Sequence, residues 1–299
     1  MTSRDRYPRV SNTFYEGTPS LLREQIKWCF LHRVGPGSLP IQDEGTIAGA
    51  GMPSKSPHSE SVAIISPHAG FVYSGPIAAH GYLRLSAEQR PDVAVIIGPN
   101  HTGYGAGVSV WGGGGWMTPL GRLEVDGGIA KAISALGAAE LDEDAHVDEH
   151  SVEVQLPFLQ FIYGNGIRIV PVCMMLQDYA SSRELGIAIA GALKGRRAVV
   201  IASTDFSHYV PYKEAYRKDS IAGEAILRMD PRAVESAVVR EGISMCGPGP
   251  VMAALAAALS MGAESCERLC YATSGDTSGD RGSVVGYGSF VMRRPPMPQ

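Results

Sequence analysis

Two stretches decide how the chain reads: Val62-Ala63-Ile64-Ile65-Ser66-Pro67-His68-Ala69-Gly70 and Val95-Ile96-Ile97-Gly98-Pro99-Asn100-His101-Thr102-Gly103. Each is a short apolar run that meets a proline, turns through a histidine and closes on a glycine. Strands that are apolar at every position are buried on both faces, the condition of a parallel sheet covered by helices. The runs 167–172 and 198–202 are likewise brief and strongly apolar, the first interrupted only by Arg168. Between the runs, 75–85, 127–136, 148–161 and 179–193 read as helices. Two more follow at 213–229 and 231–241, the second announced by Asp230 as cap and Pro231 in its first turn, and another follows Pro250. The end alternates, which puts Val285, Tyr287, Ser289 and Val291 on one face of a last strand. The expected fold class is therefore α/β, a three-layer sandwich with a largely parallel or mixed central sheet.

Ahead of these runs, Thr18-Pro19-Ser20 signals the start of a helix over 21–32. A Gly/Pro/Ser-rich excursion over 35–57 follows, placed to wrap the body or cover a site. The expected organisation is an N-terminal extension, 1–61, wrapping one α/β domain, 62–299. Of 299 residues, 36 are glycine, about 12% against an average near 7%. With 44% hydrophobic residues and a net charge of −4, the chain is neither collagen-like nor disordered. No basic excess marks a nucleic-acid partner. The longest nearly apolar stretch, 251–263, is too short to span a membrane, and the start lacks the apolar core of a secretory signal, so a soluble, cytoplasmic protein is expected. The five cysteines are scattered and form no CxxC pair, which argues against a disulfide framework or a zinc ribbon.

His68 and His101 both emerge at the carboxyl ends of strands, where open α/β sheets bind ligands. The strand at 198–202 delivers Ser203-Thr204-Asp205-Phe206-Ser207-His208-Tyr209 to the same edge, with Asp205 placed to orient His208. Two histidines and an anion on a rigid edge are a recipe for a divalent metal with open positions. The alternative, that each histidine bonds only its own loop, weakens when three strands converge. Cys246 precedes a helix, whose N-terminus favours a thiolate. By its own setting, however, it reads as a small hydrophobe under a turn. On the expected helix 148–161, Glu149 and Glu153 lie one turn apart with His150 beside Glu153. That face either supports the site or touches substrate, or it is an ordinary solvated helix start. The run Trp111-Gly112-Gly113-Gly114-Gly115-Trp116 reads as a possible lid. It lacks the lysine of a phosphate-binding loop.

Five blocks together resemble the Memo family: Pro67 to Gly75 (PHAGFVYSG), Gly98 to His101 (GPNH), Glu149 to Phe158 (EHSVEVQLPF), Ser203 to Tyr209 (STDFSHY) and Cys246 to Pro250 (CGPGP). The family is related in fold to the class III extradiol dioxygenases of the LigB type, which hold non-haem iron with two histidines and a carboxylate. The resemblance implies that His68 and His101 are metal ligands and that Cys246 stands where those enzymes place the carboxylate. It puts His208 at a catalytic acid/base position with Asp205 near it. Thiolate in place of carboxylate suits iron first, with copper or zinc as alternatives. Fold kinship does not transfer catechol cleavage.

Three functions follow as expectations. The first is metal-dependent redox chemistry on an unknown small substrate, and the second is a non-catalytic protein that binds a peptide or other ligand in the same cleft. The third is a metal-dependent hydrolase with His208 as general base.

Overall fold

The computed structural model describes residues 4–40 and 60–295, so most of the glycine- and proline-rich excursion lies outside the described residues. The chain runs through α1 (Pro19–Leu31), β1 (Glu60–Ser66), α2 (Phe71–Ser86), β2 (Val93–Pro99), β3 (Val108–Val110), β4 (Gly115–Thr118), β5 (Gly121–Glu124), α3 (Gly127–Ala135) and β6 (Glu140–Leu141). It continues with α4 (Leu156–Tyr163), β7 (Arg168–Met174), α5 (Tyr179–Ala192), β8 (Ala198–Ser203), β9 (His208–Val210) and α6 (Tyr212–Leu227). The last elements are α7 (Pro231–Glu241), α8 (Pro248–Ser260), β10 (Ser265–Thr273), α9 (Ser274–Ser278) and β11 (Val284–Arg294).

The main sheet has the order β10-β11-β1-β8-β2-β7-β3-β6, with β9 paired to β11. The central strands β1, β8, β2 and β7 are mutually parallel. β11 and β3 flank them antiparallel, so the sheet is mixed. Alternation along each central strand divides the core into two layers. Ile65, Val95, Val172 and Val200 face α3, α5, α6, α7 and α8. Ile64, Ile96, Ile169 and Ile201 face α1, α2, α4 and the β4–β5 hairpin. This is the expected three-layer sandwich.

Local chemistry explains the helix ends. The Asp230 side chain accepts the Ala233 N–H, Pro231 opens α7, and Gly242 closes it with φ 56°, a left-handed value that glycine adopts without penalty. α8 is buried almost all round, from Gly249 to Ala258, as suits a helix packed between α5 and the sheet. Gly186 on α5 permits that approach, because a Cβ there would stand 2.4 Å from the Ala253 carbonyl oxygen. α1 buries Leu22, Ile26, Cys29 and Phe30 against the same layer as α2 and α4. Among the described residues no helix is long and apolar enough to cross a membrane.

Two local expectations are corrected. The segment 148–161 is not one helix: a 3-10 turn at Glu153–Gln155 leads into α4, and residues 148–152 form a loop. The Glu149 carboxylate accepts the backbone N–H groups of His150 and Ser151 at 2.9 and 2.8 Å. A side chain that captures nearby amides in this way holds the backbone out of helix. The Trp-flanked glycine run is no lid. β3 is antiparallel to β7, so the chain leaves β3 away from the carboxyl edge where His68 and His101 emerge. Trp111 and Trp116 are both buried, and Gly115 is paired with Glu124 in the hairpin.

Candidate metal centre

β8 lies between β1 and β2, and the loops that leave these three strands meet above its carboxyl end. His68 follows β1 by two residues and His101 follows β2 by two, so their imidazoles face each other across β8 with ring centroids 5.3 Å apart. Close packing under the loops depends on glycine at Gly98, where a Cβ would fall 2.2 Å from Ser151 Oγ.

The hydrogen bonds around each imidazole determine which nitrogen is free. Ser203 Oγ lies 2.9 Å from His68 Nδ1, donates to the Ser151 carbonyl at 2.6 Å and accepts from Gln155 Nε2 at 2.8 Å. A hydroxyl has one proton, and Ser203 gives its proton to Ser151, so His68 Nδ1 carries the hydrogen and Nε2 carries the lone pair. Gln155 is held in turn by the Tyr82 hydroxyl, which donates to its Oε1 at 2.7 Å. His101 Nδ1 lies 2.9 Å from Glu149 Oε1, and the His101 backbone N–H donates to Oε2 at 2.6 Å. Facing a carboxylate, Nδ1 is the protonated nitrogen and Nε2 is again free. Burial, then the neighbouring imidazoles of His150 and His101, hold His68 well below the ordinary histidine value. It is therefore neutral, as a ligand must be.

Cys246 completes the triangle from the segment ahead of α8. Its Sγ lies 3.3 Å from His68 Nε2 and accepts the Asp205 N–H at 3.1 Å. The expected lowering of this thiol by the helix N-terminus does not prevail: burial and then the Asp205 carboxylate push it up. Ligand atoms of His68, His101 and Cys246 all lie within 4.8 Å of one another.

Ligand atoms of His101, Glu149 and His150 also lie within 4.8 Å of one another. Glu149 is poorly suited as a ligand, however, because its two oxygens already accept four protein N–H donors. Burial works to raise this carboxyl, but the His101 hydrogen bonds and the adjacent His101 and His150 imidazoles outweigh it and hold the carboxyl below its ordinary value. Glu149 thus orients His101. His150 stacks on His101 with centroids 4.7 Å apart and meets His68 edge-on at 5.5 Å, so its ring walls the cleft.

Asp205 does not orient His208. The Asp205 carboxylate accepts the His68 backbone N–H at 2.8 Å, and burial raises it to about 6 despite that bond. His208 is held by Ser244, whose carbonyl lies 2.7 Å from Nδ1 and whose Oγ accepts the backbone N–H at 2.7 Å. A carbonyl only accepts, so His208 also has its proton on Nδ1. Glu153 is turned away from the cleft and binds the N-terminal segment. Sequence reasoning missed Ser203 and Gln155 as orienting groups although both lie inside the quoted blocks. It also missed Ser244, which carries no local signal.

A family model described as Memo-like protein matches residues 6–291. The chain belongs to the Memo family. A MEMO1 family protein of Methanopyrus kandleri is 45% identical, with 97% of this chain and 99% of the relative aligned. One from Methanothermobacter thermautotrophicus is 45% identical over 94% of this chain and 98% of its own. An uncharacterised Escherichia coli K12 protein matches with a TM-score of 0.51 at 15% identity, covering 78% of this chain and 100% of that one, and this likeness speaks for the fold alone. The Memo-family match includes the N-terminal residues from Arg6 onward, which pack against the site loops rather than standing apart from them.

Proposed function

We propose that this Memo-family protein is a metal-dependent enzyme of redox type acting on a small substrate in the cleft between His68, His101 and Cys246. The observation that supports it is the pair of imidazoles with Nδ1 engaged and the lone pair left on Nε2, grouped with Cys246 Sγ within 4.8 Å. Pinned second nitrogens are what metal-ligating histidines have, and a histidine that merely satisfied its own loop would not need them. Two neutral imidazoles and one anion with open positions suit non-haem iron first. The thiolate makes copper(I) the second choice, and zinc fits as well. A redox-active metal held there would supply electron exchange with oxygen or the substrate.

The chain's own residues have separable tasks. Glu149 and Ser203 aim the imidazoles, and Cys246 gives up its proton to become the anionic ligand. Asp205 fixes the His68 backbone. His208, with Nε2 unencumbered by Ser244, moves a proton to or from substrate. His150 bounds the substrate side.

A second reading, ligand binding without turnover, draws on the exposed side chains beside the site loops: Val72 and Tyr73 after His68, Tyr104 after His101, and Tyr209 after His208. Metal analysis of anaerobically purified protein separates the two readings. Stoichiometric iron or copper, lost in His68→Ala and in Cys246→Ser, is expected. Metal-free wild type that still binds a ligand in the cleft would refute the redox reading, and zinc with ester or amide turnover would replace it with hydrolysis.

A further inference from the structure

The N-terminal segment reaches the site from behind. Arg6 is only 4% exposed. Its Nη1 donates to Glu153 Oε2 at 2.7 Å, its Nη2 to the Glu149 carbonyl at 2.5 Å and its Nε to the His146 carbonyl at 2.7 Å. The guanidinium also lies over the Trp116 ring at 4.2 Å. Glu153, fully buried, further accepts the backbone N–H of Arg9 at 2.9 Å and of Val10 at 3.0 Å, and the Tyr15 hydroxyl at 2.6 Å. Phe14 sets its ring against His150, centroids 4.9 Å apart, and its carbonyl accepts the Phe71 N–H at 2.7 Å, three residues past His68. One short segment therefore touches the His68 loop, His150, and the backbone of Glu149, which aims His101. Among the described residues no hydrogen bond joins it to Cys246, whose partners are His68, Thr204, Asp205 and Gln177.

We infer that residues 6–15 are a strap that sets the pose of the two-histidine half of the centre, with Arg6 as its positioning residue. A buried ion pair adds little net stability over apolar packing of the same volume. Apolar packing, however, cannot hold the Glu149 carbonyl by a directed bond, and that bond anchors the backbone from which the carboxylate reaches His101. The bonds from Arg6 bracket the loop 146–153 on both sides of Glu149. The inference rests on the metal reading for one of its two readouts and stands apart from it for the other.

The test uses the full chain with Arg6→Lys and Tyr15→Phe, which keep the buried charges paired, and Arg6→Met/Glu153→Gln, which removes them together. The first readout is the nitrogen-15 NMR signal of the protonated His101 Nδ1, which reports its bond to Glu149 with no metal present. The second is affinity for zinc and cobalt(II), measured by competition with a chromophoric chelator. In the folded variants the His101 signal is expected to shift or broaden. Zinc affinity should fall about tenfold or more, the scale of losing an orienting partner, while the cobalt complex keeps its thiolate charge-transfer band from Cys246. An unchanged His101 signal in folded Arg6→Lys and Tyr15→Phe would overturn the strap and leave the metal reading intact. If wild type binds neither metal while the His101 signal moves, the metal reading falls and the strap survives.

Discussion

Replacing Glu149 by glutamine separates the two candidate metal groups in one experiment. The change is isosteric and leaves one carbonyl oxygen. Placed where Oε1 stood, that oxygen still serves His101 Nδ1 and the N–H groups of His150 and Ser151. The amide nitrogen then confronts the His101 backbone N–H, which had donated to Oε2 at 2.6 Å. One buried charge-assisted bond becomes two opposed donors, a loss of about 1.5–3 kcal/mol. If His68, His101 and Cys246 hold the metal, Glu149 acts only through His101. Loss of an orienting partner costs roughly 10–100-fold in affinity, which is about 1.4–2.7 kcal/mol. Chelator competition with zinc measures the affinity, and urea unfolding of the metal-free protein measures stability. A folded Glu149→Gln with affinity within about twofold of wild type would refute the orienting role. Complete loss of binding, with Cys246→Ser unaffected, would move the metal to His101, Glu149 and His150.

Other predictions concern separate parts of the structure. Cys246→Ser should abolish the thiolate-to-cobalt charge-transfer absorption while His101→Ala keeps a weakened form of it, as read by optical titration. Gly98→Ala should destabilise the protein by about 1–3 kcal/mol, because the new Cβ meets Ser151 Oγ at 2.2 Å; wild-type urea stability would show that the loop yields freely. His146 is fully buried, and burial and then Arg6 lower it to about 3. Between that value and the unfolded 6.5 the unfolded chain binds the proton and the fold does not, so this group's contribution to stability is lost as pH falls through that window. From pH 7 to pH 5 its share is about 2 kcal/mol. His146→Asn should flatten the pH dependence of urea unfolding by that amount, and an unchanged slope would contradict it.

The central strands were legible because burial on both faces leaves a mark that needs no partner to interpret: residues 62–65, 93–97 and 198–202 are apolar at every position. β10 was not, since it is an edge strand whose Ser265, Glu267 and Arg268 are exposed and which carries no continuous apolar run. The segment at 148 misled for a different reason. Its spacing suits a helix, and the decision against one is made by Glu149, whose carboxylate is committed to His101, 48 residues away. Local pattern cannot register a bond of that span. The same limit hid Arg6, whose partners lie 140 to 147 residues along the chain, and Ser244, the partner of His208.

The histidines were the readable part of the site because the sheet itself presents them. In a parallel sheet every carboxyl end lies on one edge, so a residue two places beyond β1 and another two places beyond β2 must arrive at the same level. The order β1-β8-β2 then leaves one strand's width between them, and that strand ends in Ser203. Its register is fixed: Ser203 pairs with Ser66 on one side, and Ala202 with Ile97 on the other. A slip of one residue would turn the Ser203 hydroxyl to the opposite face and leave His68 Nδ1 without its partner. The register of β8 between β1 and β2 is therefore also what selects the His68 tautomer. In this protein the core and the candidate centre are specified by the same residues.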